Sequence, residues 1–284
     1  MSQFSTPINS DRSSRPAKSL RSTVFWRLAE DIPSPMSWSL MTASILVPLV
    51  LWWLVTTLGV IDPKFLPSPA KVIEAFQRLW STGDLQKDTI ASLWRVGVGF
   101  SLAALFSIPT GVLMGSFASI RALLEPLFGL VRYMPAPAFI PLLILYQGIG
   151  EEPKIMLIFI GVFFFNSLMV MDTVKFVPKE LIEATYMLGG SRLQALLQVI
   201  APYVLPGIID ACRINLAAAW QLVIVSELIA ATEGLGRRIN VAGRFLRTDE
   251  IFVGLIVIGV IGLILDLLFQ YALRISCSWA SQKR

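Results

Sequence analysis

The sequence predicts an all-α membrane protein that crosses the bilayer about six times, and three observations carry that prediction. Of its 284 residues, 55% are hydrophobic and only 15% charged, against about 25% charged in a soluble domain. The apolar residues fall in runs of the length a helix needs to cross a bilayer, roughly 20 residues. The net charge of +5 is spread between those runs with no basic face or stripe. Such loop charges orient a membrane protein, and they speak against nucleic acid as a partner.

Residues 1–36 read as a flexible basic cytoplasmic tail, rich in Ser and Pro, with Arg12, Arg15, Lys18, Arg21 and Arg27. A short amphipathic helix fits over 23–30. The first apolar run is too long for the core of a signal peptide. Residues 37–275 form the transmembrane domain, and 276–284 a cytoplasmic C-terminal tail.

The first span, 37–61, has one acidless, baseless run with Trp38, Trp52 and Trp53 suited to the interface. The second, 90–120, contains Pro109 and Gly111. The third, 123–148, carries Arg132 and three prolines, Pro135, Pro137 and Pro141, so it cannot be a regular helix throughout. The fourth is 154–174, with Asp172 near its end. The fifth, 207–231, carries Arg213 and Glu227, and the sixth, 251–273, carries Asp266. Residues 193–209 are uncharged but contain Gln194, Gln198, Pro202 and Pro206. They read as a surface helix leading into span five, since an interior proline costs about 3 kcal/mol. Six spans and an inside N-terminus put the C-terminus inside as well.

The chain has no histidine, which excludes histidine-based acid–base chemistry, serine triads and histidine metal sites. Cys212 and Cys277 lie in apolar stretches and read as small buried hydrophobes. No catalytic or metal-ligating residue is assigned. A phosphate-binding G-x-x-x-x-G-K-[ST] loop is absent from the sequence, so no nucleotide is expected on this chain.

The loop between spans four and five, 176–205, is the most informative segment. It reads Glu183-Ala184-Thr185, then Gly189 after three residues, then Val199-Ile200-Ala201-Pro202 after nine more. This resembles the coupling loop of permease subunits in bacterial ATP-binding-cassette importers, whose pattern is E-A-A-x3-G-x9-I-x-L-P. Glu183, Ala184, Gly189 and Pro202 match at their spacing; Thr185, Val199 and Ala201 depart by small changes. Other segments resemble the nitrate/sulfonate/taurine/bicarbonate branch of these permeases. They are Phe65-Leu66-Pro67-Ser68-Pro69, Ser92-Leu93-Trp94-Arg95-Val96 with Gly99-Phe100, Pro135 to Leu142 with Gly148-Ile149-Gly150, and Glu233-Gly234-Leu235-Gly236. Relatives often have a histidine where this chain has Asp88.

The resemblance implies a type I importer permease fold, with a coupling helix on the cytoplasmic face that docks an ATPase subunit. It implies a second permease copy, giving a homodimer, two ATPase subunits that use ATP and magnesium, and a periplasmic or extracellular solute-binding protein. The solute it implies is a small anion such as nitrate, a sulfonate, taurine or bicarbonate, carried across the bacterial inner membrane by alternating access. Arg237, Arg238, Arg244 and Arg247, between spans five and six, would then face the binding protein or collect an anion.

Ionisable groups within spans are costly and face the bundle interior, a partner or water. Arg213, Trp220 and Glu227 are spaced seven apart and share one helix face. Either Arg213 pairs with Asp266 or Asp172 and locks the bundle, or the stripe lines the pathway and attracts the solute. Arg132 to Phe139, with Pro135, is a gate candidate or a kink made for packing. Asn166 and Asn215 are expected to bond between helices. A rival reading, an ion-coupled secondary transporter or channel, would use Asp172, Glu227 and Asp266 as carriers; the motif spacing and the lack of an internal repeat speak against it.

Overall fold

The computed structural model describes residues 32–277. The N-terminal tail, the helix expected over 23–30 and nearly all of the C-terminal tail lie outside the described residues. Among the described residues all regular structure is helical. Five helices are long and apolar enough to cross a membrane, or six when one bent pair is taken as a single span.

The chain divides into one unit ending at Leu54 and another from Val55. The first consists mainly of α1 (Ser34–Thr57), an uncharged helix with no buried residue. Its 24 residues rise about 36 Å, enough to cross the hydrocarbon core.

The second unit begins with α2 (Pro69–Ser81) and the long α3 (Asp84–Ser116). Then come α4 (Ala118–Val131), a 3₁₀ turn over Ala136–Phe139 and α5 (Ile140–Gln147). These are followed by α6 (Glu152–Lys175) and α7 (Lys179–Met187). A single turn, α8 (Arg192–Gln194), leads through a π-helical segment, Ala195–Ile200, into α9 (Ala201–Ala230). The chain ends in α10 (Leu235–Arg244) and α11 (Thr248–Ser276).

Helices α3, α6 and α9 pack together at the centre of this unit. Small residues let α3 and α6 approach closely, as they do where lipid supplies no hydrophobic drive. A Cβ at Gly99 would lie 2.8 Å from Ile158 Cβ, and one at Gly111 would lie 2.5 Å from the Ser167 carbonyl oxygen. Buried polar groups then tie the three helices. Asn166 Nδ2 donates to Ser107 Oγ (2.7 Å), and Asn215 Nδ2 donates to Asn166 Oδ1 (3.1 Å). These are the interhelical bonds expected of Asn166 and Asn215. Met114, Phe128, Leu168 and Met171 fill the space between α3, α4 and α6.

The proline-rich third span is broken. Helix α4 and the segment Ala136–Gln147 meet at a bend of 85°. Pro135 and Pro137 cannot donate to the helical ladder, so the chain turns there instead of continuing.

Residues 193–209, read as a helix leading into span five, run into it without a break. Arg192–Leu228 forms one helical run of 37 residues. The prolines are accommodated without a break. In the π segment the ladder has already left the α register: the Ala201 N–H donates to Leu196, five residues back. Pro202 follows within the first turn of α9, where a missing N–H is tolerated. Pro206 lies inside the helix, as membrane helices allow when neighbouring groups satisfy the freed carbonyl.

Candidate functional site

A cavity of about 580 Å³ opens between the α4–α5 break, α6 and α9. Its lining is mainly apolar, with Pro135, Phe139, Phe164 and Leu222 among its walls. Four polar side chains reach it: Arg132, Tyr133, Asn215 and Gln221. Arg132 Nη2 donates to the Tyr133 hydroxyl (3.0 Å), and its guanidinium lies 4.9 Å from the Tyr133 ring centroid. Among the described residues no carboxylate pairs with Arg132, and Gln221 has no hydrogen-bond partner. A cation held by an aromatic neighbour and an amide, in a cavity whose lining is mainly apolar, form a set of groups that suits a small anion with an apolar body.

The stripe Arg213, Trp220, Glu227 does not line this cavity; of the two readings offered for it, the structure shows the pairing of Arg213 with Asp266. Arg213 Nε donates to Asp266 Oδ1 (2.5 Å) on α11, and Gln270 Nε2 holds the other oxygen (2.8 Å). Asp172, the other candidate partner of Arg213, pairs with Lys175 one turn along its own helix (3.1 Å). Trp220 is buried and donates from Nε1 to the Ile258 carbonyl of α11 (3.1 Å). The cavity instead takes Ile214, Ala218, Gln221 and Val225, a second stripe at helical spacing offset by one residue. Gln221, which sequence reading passed over, was marked only by being an amide inside an apolar run.

Glu227 belongs to a buried network that fixes the start of α10. Its Oε1 accepts from Arg95 Nη1 (2.6 Å) and from Ser92 Oγ (2.7 Å), and its Oε2 accepts from the Gly236 N–H (2.8 Å). The Leu235 N–H donates to Ser92 Oγ (3.0 Å), and the Gly234 N–H donates to Asp88 Oδ1 (2.8 Å). The first amides of a helix have no partner within it and favour negative charge; here α3 and α9 supply the acceptors. Gly234 is required at this point. Its φ is +129°, and a Cβ would lie 2.5 Å from both Glu227 carboxylate oxygens.

Arg95 is the hub of this network. Besides Glu227 it donates to the Glu233 carbonyl (2.8 Å) and, through Nε and Nη2, to both oxygens of Glu151. Buried Lys154 also donates to Glu151 (2.8 Å). The Arg95 guanidinium, seconded by Lys154, holds the Glu151 carboxyl down at about 2, against the opposing effect of partial burial. Asp88, which stands where relatives often have histidine, accepts from Arg238 Nε.

That bond also corrects the reading of the four arginines as one outward-facing group. Arg238 is turned inward, its side chain only 15% exposed. Arg244 and Arg247 remain exposed; Arg244 donates to Asn240 (3.2 Å) and Arg247 to Glu250 (3.4 Å). Arg237 is half-buried.

At the opposite end of the bundle, α7 carries Glu183, Ala184 and Thr185. Glu183 and Ala184 are exposed. Gly189 ends the helix with φ +81°, and Ser191 caps the next turn in a reciprocal capping box with Gln194. Beside this turn Met187 and Leu188 are 89% and 88% exposed. Large apolar side chains so bare at a turn between polar caps mark a surface built to be covered.

Residues 107–276 match the family described as the binding-protein-dependent transport system inner membrane component. The chain belongs to this family. It is the permease subunit of an ATP-binding-cassette importer. The permease is 38% identical over 234 residues to the taurine transport system permease protein TauC of Escherichia coli (strain K12), covering 81% of this chain and 85% of that one. It is 31% identical over 233 residues to the putative aliphatic sulfonates transport permease protein SsuC of Bacillus subtilis (strain 168), covering 82% and 84%. Among solved structures, an inward-facing form of the MetNI methionine ABC transporter superposes with a TM-score of 0.60 at 21% identity, over 68% of the permease and 95% of that chain. At that identity the likeness concerns the fold, which is that of type I importer permeases. Glu227 and Asp266 are each paired with an arginine, and the family differs from ion-coupled carriers, so the rival reading is not favoured.

Proposed function

We propose that the permease imports a small organic or inorganic anion, with sulfonates such as taurine foremost, and that Arg132 and Gln221 meet the anionic head in the cavity. The names of the sulfonate-type relatives and the cation-bearing, mostly apolar cavity support this reading. Nitrate and bicarbonate belong to the same chemical class. ATP and magnesium are used by two separate ATPase subunits, not by this chain. Two copies of the permease form a homodimer in the bacterial inner membrane, with N- and C-termini in the cytoplasm and a solute-binding protein outside. Arg244 and Arg247 are the exposed cations available to that protein.

The observation that carries the mechanism is the continuity of Arg192–Leu228. The helix following the α7 turn is the same one that walls the cavity with Gln221. At about 1.5 Å per residue it reaches roughly 55 Å, so one continuous helix joins the α7 turn to the cavity and delivers movement from one to the other. Closure of the ATPase dimer moves α7, and the cavity opens alternately to the two faces. The bound anion in turn must prefer one state to shift the equilibrium.

The experiment is ATP-driven uptake by the full assembly in proteoliposomes, with taurine, ethanesulfonate, nitrate and bicarbonate compared. Arg132→Ala is expected to lower uptake of the preferred anion at least tenfold while assembly persists. Unchanged uptake would remove Arg132 from the pathway.

A further inference from the structure

We propose that α2 lies in the lipid–water boundary at the α10 end of the bundle, with Ile73, Phe76 and Trp80 held in lipid. The helix has three sectors rather than two. Val72, Ala75 and Leu79 are buried against the protein. Ile73, Phe76 and Trp80, 58%, 40% and 56% exposed, form an adjoining apolar strip. Lys71, Glu74, Gln77 and Arg78 are exposed and polar and occupy the rest of the circumference. At 3.6 residues per turn, the buried and the exposed apolar strips are contiguous, and the polar sector completes the turn.

A helix at a protein–water boundary needs one apolar stripe. A second apolar strip, beside the first and facing away from the protein, fits a helix that touches protein, lipid and water at once. Its residue types agree. Phe76 and Trp80 stack with ring centroids 5.8 Å apart, and tryptophan is enriched where an amphipathic ring sits at headgroup level. The helix is also fixed at the right level. Arg78 Nη2 bonds to Glu250 (3.0 Å) and Asp249 (3.4 Å) at the start of membrane-spanning α11. At its other end Ser68 caps the helix ahead of Pro69. Only Thr82 and Gly83 separate its C-terminus from the start of α3. A second copy of the permease would cover the strip equally from an apolar standpoint. The polar sector that borders the strip on the side away from the protein, and the aromatic pair, favour lipid.

The test uses the full chain assembled with its ATPase subunits in phosphatidylcholine vesicles. In a Cys212→Ala, Cys277→Ala background, nitroxide labels are placed through Lys71→Cys, Ile73→Cys, Glu74→Cys, Phe76→Cys, Gln77→Cys and Trp80→Cys, one at a time. Labels at 73, 76 and 80 are expected to be relaxed by oxygen and protected from a water-soluble nickel chelate, with the reverse at 71, 74 and 77. Nickel access at all six positions would place the helix in water and overturn the proposal. Protection of 73, 76 and 80 from both reagents would mean a protein covers them, which also overturns it. In the chain with native cysteines, Trp80→Phe should abolish part of the fluorescence quenched by acyl-brominated lipid; undiminished quenching would contradict lipid contact.

Discussion

Arg95 and Glu227 meet at 2.6 Å with side chains 3% and 0% exposed, although they lie 132 residues apart in sequence. The pair joins α3 to α9, and through Glu151 and the Gly236 N–H it holds the beginnings of α6 and α10 as well. Removing one member of a buried, hydrogen-bonded pair leaves the other charge uncompensated and destabilises by about 3–5 kcal/mol. Arg95→Met is therefore expected to lower the unfolding free energy of the purified permease by that order. Glu227→Gln keeps one accepting oxygen and turns an NH2 toward either Ser92 or the Gly236 N–H, but it leaves Arg95 paired with Glu151, so it should lose less. Denaturant titration in detergent measures both, and wild-type stability in Arg95→Met would refute the hub role.

The acid sensitivity of this network follows from Glu151. Its carboxyl is lowered from 4.5 to about 2, first by hydrogen bonding to Arg95 and then by Lys154. A carboxylate with a depressed folded value contributes stability that is complete above its unfolded value. That contribution fades as pH falls from the unfolded value toward the folded one. Thermal stability should thus hold from neutral pH to about pH 5 and decline between about pH 4.5 and 2. Glu151→Gln should be less stable at neutral pH and should show a shallower acid decline. A decline identical in the two proteins would assign the acid limb to other groups.

Gly234 tests the geometry of the α10 start. Its backbone lies in a region open essentially to glycine alone, where other residues cost about 1–3 kcal/mol, and an added Cβ meets the Glu227 carboxylate. Gly234→Ala should be destabilised by at least that amount and should expose the α10 segment to hydrogen exchange. Native protection of α10 in this variant would show that the glycine is not needed.

The α9–α11 pair separates structure from transport. With Arg213 bound to Asp266 at 2.5 Å, Arg213→Ala strands a carboxylate within a span. The double variant Arg213→Ala, Asp266→Ala should recover stability and uptake relative to Arg213→Ala. A coupling energy of about 0.5–3 kcal/mol is expected from the cycle. If the double variant transports no better than the single one, Arg213 acts on the solute and not as a brace.

The spans were legible in the sequence because length and hydropathy are local properties. So was the break in the third, because Pro135 and Pro137 remove ladder donors wherever they fall. The capped turn at Gly189 and Ser191 could likewise be read from neighbouring residues. What escaped is relational. Seven-residue spacing puts Arg213, Trp220 and Glu227 on one face and makes Asp266 a candidate partner of Arg213, but does not decide between a neighbouring helix and the cavity; the face meets α11 and the Arg95 network, and the cavity lies beside the Gln221 stripe. The partnership of Arg95 with Glu227 carries no local signal at all. The π segment at Ala195–Ile200, ahead of Pro202, was hidden for a different reason: no propensity scale marks such a turn.

Under the proposed function, α7 and its turn dock an ATPase whose motion reaches the cavity through α9. Gly189→Asp tests it most directly. A Cβ at Gly189 meets open space within the permease, so the change costs the fold only about 1–2 kcal/mol for its left-handed backbone. Co-purification with the cognate ATPase and ATP-driven uptake should be measured together on wild type and Gly189→Asp. The expected result is a folded permease that loses the ATPase or its uptake. Wild-type assembly together with wild-type uptake would contradict it.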